Sequence, residues 1–355
     1  MTLPITKTIA AILQNSNTDL LIDEIQLPEE LLTGQVLVEV ITSGICGAQI
    51  NEIEAVKGPD KFLPHLLGHE GFAHVIQVGP GVNTVKPGDQ VVMHWRPGSG
   101  IQSSPPIYRW QGKQLNAGWV TTLNKHAVVS ENRITRIPNS NYDKNLIPLL
   151  GCALTTSLGV LEKDAKIGFR DSLMIFGAGG VGLLLIKLAK LIGVNDSTVV
   201  DIHPEKLVKA GELGASNTIV FQDKNETLAT LQALYGKSLP SVAIDTTGHT
   251  GAIEICYEVS SSDARVILVG VPRAGNKASI YTLPLHFGKV LKGSEGGQSK
   301  PERDIPLLLQ LVSDKRLNFD DYPTHSFPLI GINEAIGQLK NGTIGRMIID
   351  LSDTR

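Results

Sequence analysis

One stretch constrains the fold of this chain more than any other. It is Ser172-Leu173-Met174-Ile175-Phe176, then Gly177-Ala178-Gly179-Gly180-Val181-Gly182, then an apolar run to Ile192. Five residues suited to burial on both faces read as an interior strand of a parallel sheet. The glycines carry the chain through a tight turn into a helix, which Gly193 ends. A first glycine makes such a turn, a second lets the backbone approach a bound group, and a third lets the helix pack close on the strand. Thr198-Val199-Val200 supply a second strand, closed by Asp201, 19 residues beyond Gly182. A helix from Pro204 to Leu213 stops at Gly214, and Val242–Asp245 and Arg265–Val269 continue the alternation. Strands separated by helices imply right-handed crossovers and a doubly wound parallel sheet, an α/β fold.

The start of the Val181–Ile192 helix offers unpaired N–H groups and a positive dipole to a pyrophosphate. Gly177, Gly179, Gly180, Val181 and Gly182 are therefore the expected cradle of a dinucleotide. A carboxylate at Asp201 can accept both hydroxyls of the adenosine ribose and repels a 2′-phosphate, which favours NAD over NADP. Lys206, just after His203, is placed to add a ribose or phosphate contact. The competing reading is a glycine turn that serves packing alone, with Asp201 as a helix cap.

The first 150 residues have a different rhythm. Val36–Val40, Ala73–Val78 and Gln90–Met93 are short strands set between turns such as Gly79-Pro80-Gly81 and Lys86-Pro87-Gly88-Asp89. A chain of 355 residues is long for one core. The expected division is a β-rich domain, 1–152, rejoined by 295–355, and a dinucleotide-binding domain, 153–294. A net charge of −3 gives no electrostatic case for nucleic acid or anionic membrane. The longest apolar runs fall far short of a membrane span, and the N-terminus lacks the pattern of a signal peptide. Three cysteines far apart argue against a disulfide scaffold and for a reducing, cytoplasmic setting.

Two of those cysteines stand out. Cys46 in Gly44-Ile45-Cys46, His69 in Gly68-His69-Glu70 and Cys152 in Gly151-Cys152-Ala153 each lie at a turn beside glycine, where a loop can project a ligand. Two thiolates and an imidazole fill three corners of a tetrahedral zinc and leave the fourth open, as a catalytic zinc requires. Residue types alone leave their convergence open. Buried cysteines are common core residues; Cys256, in the apolar pattern Ile253-Glu254-Ile255-Cys256-Tyr257, reads as one, and His65 reads as structural.

These segments resemble the zinc-dependent alcohol dehydrogenases of the medium-chain dehydrogenase/reductase superfamily. The similarity runs from about Pro28 to the end, through Ser43-Gly44-Ile45-Cys46, Gly68-His69-Glu70-Gly71, Val78-Gly79-Pro80-Gly81-Val82, Lys86-Pro87-Gly88-Asp89-Gln90-Val91, Gly151-Cys152-Ala153-Leu154-Thr155-Thr156, the glycine turn, Val269-Gly270-Val271-Pro272 and Leu291-Lys292-Gly293-Ser294. It implies a GroES-like catalytic domain beside the Rossmann domain. It also implies one catalytic zinc on Cys46, His69 and Cys152, with Glu70 behind the metal and able to exchange onto it. Arg346 matches a family arginine near the cofactor pyrophosphate, and a homodimer or homotetramer would form through the nucleotide-binding domains. His94, Trp95 and Arg96 match the wall of the substrate pocket. Tyr108, Arg109, Trp110 and Lys113 are close enough in sequence to contribute, unless Arg109 and Lys113 are merely solvated charges. The implied reaction is hydride transfer between NAD and a small-molecule alcohol, with aromatic and cationic residues suiting a polyol, a sugar derivative or a phosphorylated alcohol.

The departures are local. Where relatives carry four cysteines for a structural zinc, this chain reads Arg96–Pro106 without one, so no structural zinc is expected. Ala48 replaces the hydroxyl that passes the alcohol proton outward, Asn51 stands at the place of a relay histidine, and Gln49 replaces the usual aspartate behind the metal ligands. These changes keep two other readings open: a zinc-free quinone or enone reductase of the same superfamily, and a catalytically retired NAD-binding protein.

Overall fold

Side-chain alternation along the strand Gln35–Ile45 shows how the β-rich part is built. Val36, Val38 and Val40 enter one apolar cluster with Ala73, Val75, Met93 and Met347, while Leu37 points to the other face, against Ile12, Ile25 and Tyr108. A period of two with both faces apolar is what a strand between two packed layers requires. The computed structural model describes residues 3–354 and contains two compact units, Met1–Thr155 with Lys300–Arg355, and Thr156–Ser299. The breaks lie a few residues beyond the expected 152/153 and 294/295.

The first unit holds two sheets. One runs in the order His65–Leu66, Lys7–Leu13, Leu21–Gln26, Tyr108–Trp110, Lys113–Leu115. The other runs Ile134–Ile137, Gln90–His94, Glu70–Val78, Gln35–Ile45, Arg346–Asp350, Thr324–Pro328, and His126–Ser130 also pairs with Gln35–Ile45. The C-terminal segment thus returns to this unit as strand Arg346–Asp350, antiparallel to Thr42–Ile45.

The second unit is a six-stranded parallel sheet. Its order is Asn217–Val220, Asp196–Asp201, Ser172–Phe176, Val242–Asp245, Arg265–Leu268, Val290–Gly293. Strands two and three in sequence lie on one side of Ser172–Phe176 and the remaining three on the other. The order therefore reverses at the carboxyl end of that strand, where open α/β sheets bind ligands. Helix Gly180–Ile192 leaves from this point and ends at Gly193 in the left-handed conformation.

The cysteine-free segment Arg96–Pro106 is organised by a carboxylate. Glu131 is fully buried. Its Oε1 accepts from the N–H groups of Asn83 and Thr84 and from the Thr84 hydroxyl at 2.8–2.9 Å, and its Oε2 accepts from the Ile101 N–H at 2.7 Å. The Ser130 hydroxyl accepts from the Ser103 N–H at 2.8 Å, and Arg133 donates to Gln102 Oε1 at 2.9 Å. Burial alone would raise the Glu131 carboxyl, but the N–H groups of Asn83, Ile101 and Thr84 outweigh it and hold it below the usual carboxylate range. Glu131→Ala leaves the Asn83, Thr84 and Ile101 N–H groups and the Thr84 hydroxyl without their acceptor and should lower unfolding stability by about 1–3 kcal/mol in urea titrations at neutral pH. The lowered folded value means this stabilisation is present above the ordinary carboxylate pKa and fades as pH falls through the folded one. The difference between wild type and variant should therefore shrink in acid; a constant difference would show that the charge is not what holds the segment.

Candidate metal centre and cofactor turn

Cys46 lies between the strand Gln35–Ile45 and the helix Gly47–Ile53, His69 immediately precedes the strand Glu70–Val78, and Cys152 precedes the helix Ala153–Gly159. The structure brings the three together: one donor atom from each lies within 4.8 Å of the others. A tetrahedral zinc with its usual bond lengths needs donor separations of about 3.6–3.8 Å, so small adjustments close the set. Gly151 permits this approach, because a Cβ there would stand 2.2 Å from the Met93 carbonyl oxygen and 3.0 Å from Glu70 Cα.

The donor chemistry fits a metal. The hydrogen bond with Cys152 lowers the Cys46 thiol well below its ordinary pKa; burial opposes this, and Arg346 and His69 add to it. The Cys152 thiol is raised well above by the same contact and by burial. Two thiols and an imidazole crowd one place in the fold, and a divalent cation is the group whose binding that donor set suits. His69 is raised too, because the neighbouring Cys46 and Glu70 outweigh its burial.

Glu70, expected as an exchangeable fourth ligand, is committed elsewhere. It is fully buried, and Arg346 grips it with Nε on Oε1 at 2.8 Å and a terminal nitrogen on Oε2 at 2.7 Å. Burial raises the Glu70 carboxyl despite that partner. Arg346 is held charged well above its usual range because Glu70, followed by Cys46, outweighs the cost of burial. The structure places Arg346, expected at the pyrophosphate, in the same unit as the thiols and 3% exposed.

His94 is corrected from the substrate pocket to the core. It is 0% exposed. Its Nδ1 lies 2.8 Å from the Arg96 carbonyl, which can only accept, so Nδ1 carries the proton and Nε2 accepts from the Thr135 hydroxyl at 2.9 Å. Tyr108 and Trp110 are corrected likewise: both are buried in a strand, Tyr108 Oη accepting from the Val128 N–H at 2.8 Å and Trp110 Nε1 donating to Asp23 at 2.8 Å. Arg109 and Lys113 are exposed. Trp95 and Arg96 remain half-buried, with the Arg96 guanidinium 5.6 Å from the Trp95 ring centroid. Ala48 is exposed and Asn51 half-buried.

Two further side chains pack against the candidate ligands, Ser43 without a signal in the sequence and Gln49 at the position where the sequence departs from the family. Ser43 Oγ lies 3.2 Å from the Glu70 carbonyl and 2.7 Å from Thr122 Oγ1. Gln49, 1% exposed, takes the Cys46 N–H on Oε1 at 2.8 Å and sets Nε2 against His69 Nδ1.

In the second unit, the glycine turn has the geometry its sequence suggests. A Cβ at Gly182 would lie 1.8 Å from the Gly177 carbonyl oxygen, so the helix packs at backbone distance on the turn. At Gly179 a Cβ would meet nothing within 4 Å, which leaves open space above the helix N-terminus. Asp201 lies against this turn, accepting from the Ala178 N–H at 2.6 Å and the His203 N–H at 2.9 Å. Lys206 is in the first turn of helix Pro204–Glu212, half-buried.

Residues 33–139 match the alcohol dehydrogenase GroES-like domain and residues 180–314 match the zinc-binding dehydrogenase domain, in that order. This chain belongs to the zinc-type alcohol dehydrogenases of the medium-chain superfamily. Among relatives, it is 27% identical to an S-(hydroxymethyl)glutathione dehydrogenase of Haemophilus influenzae, with 92% of each chain covered. Among solved structures, it is similar to an alcohol dehydrogenase zinc-binding domain protein from Burkholderia ambifaria, at TM-score 0.87 and 25% identity, covering 97% of this chain and 98% of that one. A short chain alcohol dehydrogenase of E. coli CFT073 complexed with cofactor NADH matches at TM-score 0.78 and 20% identity, covering 98% and 100%. For this alcohol dehydrogenase, no helix among the described residues is long and apolar enough to cross a membrane.

The His94 environment has a measurable consequence. Burial pushes its pKa down to about 4 from 6.5. The folded value is the lower one, so the stability it confers is complete above pH 6.5 and is lost as pH falls toward 4. The full loss is about 3 kcal/mol. Unfolding midpoints measured from pH 7.5 to 4.5 should fall less steeply for His94→Gln than for the wild type. Parallel curves would mean that His94 takes a proton as readily folded as unfolded.

Proposed function

We propose that this alcohol dehydrogenase transfers hydride between NAD and a polar or anionic alcohol, using one zinc. The observation that carries this reading is the convergence of Cys46, His69 and Cys152 within 4.8 Å, three donors with room for a fourth ligand. Bound there, zinc would supply Lewis acidity to an alcohol or carbonyl oxygen. Cys46, at the start of the helix Gly47–Ile53, is held toward its thiolate form by its surroundings. His69 is oriented by Gln49, and the Glu70–Arg346 pair holds a buried charge balance behind the thiols. The open space at Gly179 and the helix start fit a pyrophosphate, and Asp201, with lone pairs beyond its two backbone contacts, fits the ribose of NAD. Trp95 and Arg96 support a substrate with a polar or anionic group, such as a polyol, a sugar derivative or a phosphorylated alcohol.

The retained donor set speaks against a zinc-free quinone or enone reductase. The retired-protein reading rests on Ala48 and Asn51, and turnover of any alcohol would end it. Two variants test the two halves of the proposal. Cys46→Ala should remove the zinc found by elemental analysis and abolish turnover, while NADH binding followed by fluorescence stays within about twofold. Unimpaired turnover in that variant would falsify the metal reading. Asp201→Asn keeps an oxygen for the Ala178 N–H but removes the charge, and should raise NADP use relative to NAD about tenfold or more. An unchanged ratio would show that Asp201 serves only the turn.

We further propose that the working form is a homodimer or a homotetramer built from it. Among the described residues, the outer edge of the parallel sheet, strand Val290–Gly293, has no neighbour on one side, and Tyr281 and Phe287 beside it in sequence are 70% and 74% exposed. A second copy pairing at this edge would cover both the unpaired backbone and the aromatic rings. Light scattering should give at least twice the 38.1 kDa chain mass; a value of one chain would overturn it.

A further inference from the structure

Gln49 carries one amide between two groups that both need an acceptor when a metal is bound. On one side the Cys46 N–H donates to Oε1 at 2.8 Å, and on the other Nε2 stands against His69 Nδ1. The side chain is 1% exposed, so water does not stand in for a missing partner. With Nε2 donating, His69 Nδ1 must present a lone pair, and a neutral ring then carries its proton on Nε2. Because Nδ1 faces Gln49, Nε2 is the nitrogen left to join Cys46 and Cys152 as a ligand. The resting arrangement therefore protonates the nitrogen that a metal must take.

For His69 to ligate through Nε2, its proton must sit on Nδ1 and point at an acceptor. Gln49 can supply one only by turning its amide over, which sets its NH2 group against the Cys46 N–H. Either orientation satisfies one donor and opposes the other. A carboxylate of the same length would accept from both.

We infer that Gln49 is a positioning residue that favours the metal-free hydrogen-bond pattern and makes the metal readily released. This rests on the zinc reading given above. The site would then load and unload zinc more easily than one in which a carboxylate fills this position. Removal or misplacement of a partner behind a metal ligand commonly changes affinity 10–100-fold.

The test uses the full chain and compares wild type with Gln49→Glu. Zinc affinity is measured by competition with a chromophoric chelator, and His69 is followed by nitrogen-15 shifts after histidine labelling, its signal identified by its loss in His69→Ala. Gln49→Glu should bind zinc 10–100-fold more tightly, and its metal-free His69 should carry the proton on Nδ1. In the wild type the proton should move from Nε2 to Nδ1 on loading. The tautomer separates this role from simple attraction by an added negative charge, which would tighten zinc binding without relocating the proton. Wild type that takes up no zinc would refute the zinc reading itself. Wild type that binds zinc while Gln49→Glu binds no more tightly, or keeps the proton on Nε2, would overturn the role of Gln49. If Gln49→Glu fails to fold, the wild-type shifts decide: a proton on Nδ1 both with and without zinc overturns the proposal.

Discussion

The buried pair of Glu70 and Arg346 ties the candidate metal site to the rest of its unit. Glu70 opens the strand that follows His69, and Arg346 opens the last strand of the chain, which pairs with Thr42–Ile45 just ahead of Cys46. The bidentate contact thus joins the His69 segment to the C-terminal strand, and the strand ladder joins the Cys46 segment to it, so two of the three candidate ligands are tied to that strand. Neither group reaches water, and breaking such a pair from one side leaves a buried charge at a cost of about 3–5 kcal/mol. The close fit explains the small residues around it. A Cβ at Gly44 would lie 2.2 Å from Glu70 Oε1, and Gly151 packs on the Glu70 backbone. The glycines beside the two cysteines therefore make room for this carboxylate, and the ligands take their places around it.

Much of the fold was legible because its signals are local. The strand, glycine turn and helix around Gly177 are contiguous, and the steric reason for Gly182 lies five residues away at Gly177. The donor types of Cys46, His69 and Cys152 were legible as well. Their meeting depends on three turns from distant parts of the chain, which no local pattern encodes. Arg346 and Glu70 are separated by 276 residues, and only the pairing of the last strand brings them together.

His94, Tyr108 and Trp110 show the opposite difficulty. Aromatic and cationic residues next to one another suggested a recognition surface. Val91, Val92, Met93 and His94 are all buried along one strand, however, so no face of that strand is left to a pocket. A histidine at its end was absorbed by the carbonyl of Arg96 and the hydroxyl of Thr135. Tyr108 and Trp110 belong to a strand packed in the smaller apolar cluster, with their polar atoms directed to Val128 and Asp23. Polar residues in a strand are satisfied by whatever lies across the sheet, and that partner is set by topology.

The same accounting narrows how a substrate proton could leave the metal site. Ala48 has no hydroxyl to pass it on. Both oxygens of Glu70 are taken by Arg346, and both nitrogens of His94 are engaged away from solvent. These side chains cannot relay a proton without first giving up a buried partner. Gly47 and Ala48 are exposed at the start of the helix after Cys46, and a Cβ at Gly47 would meet nothing within 4 Å. Solvent can stand where a hydroxyl side chain would otherwise be. A path through water needs no fixed donor and acceptor geometry, so on the proposed zinc reading the lack of relay side chains leaves proton transfer open to solvent.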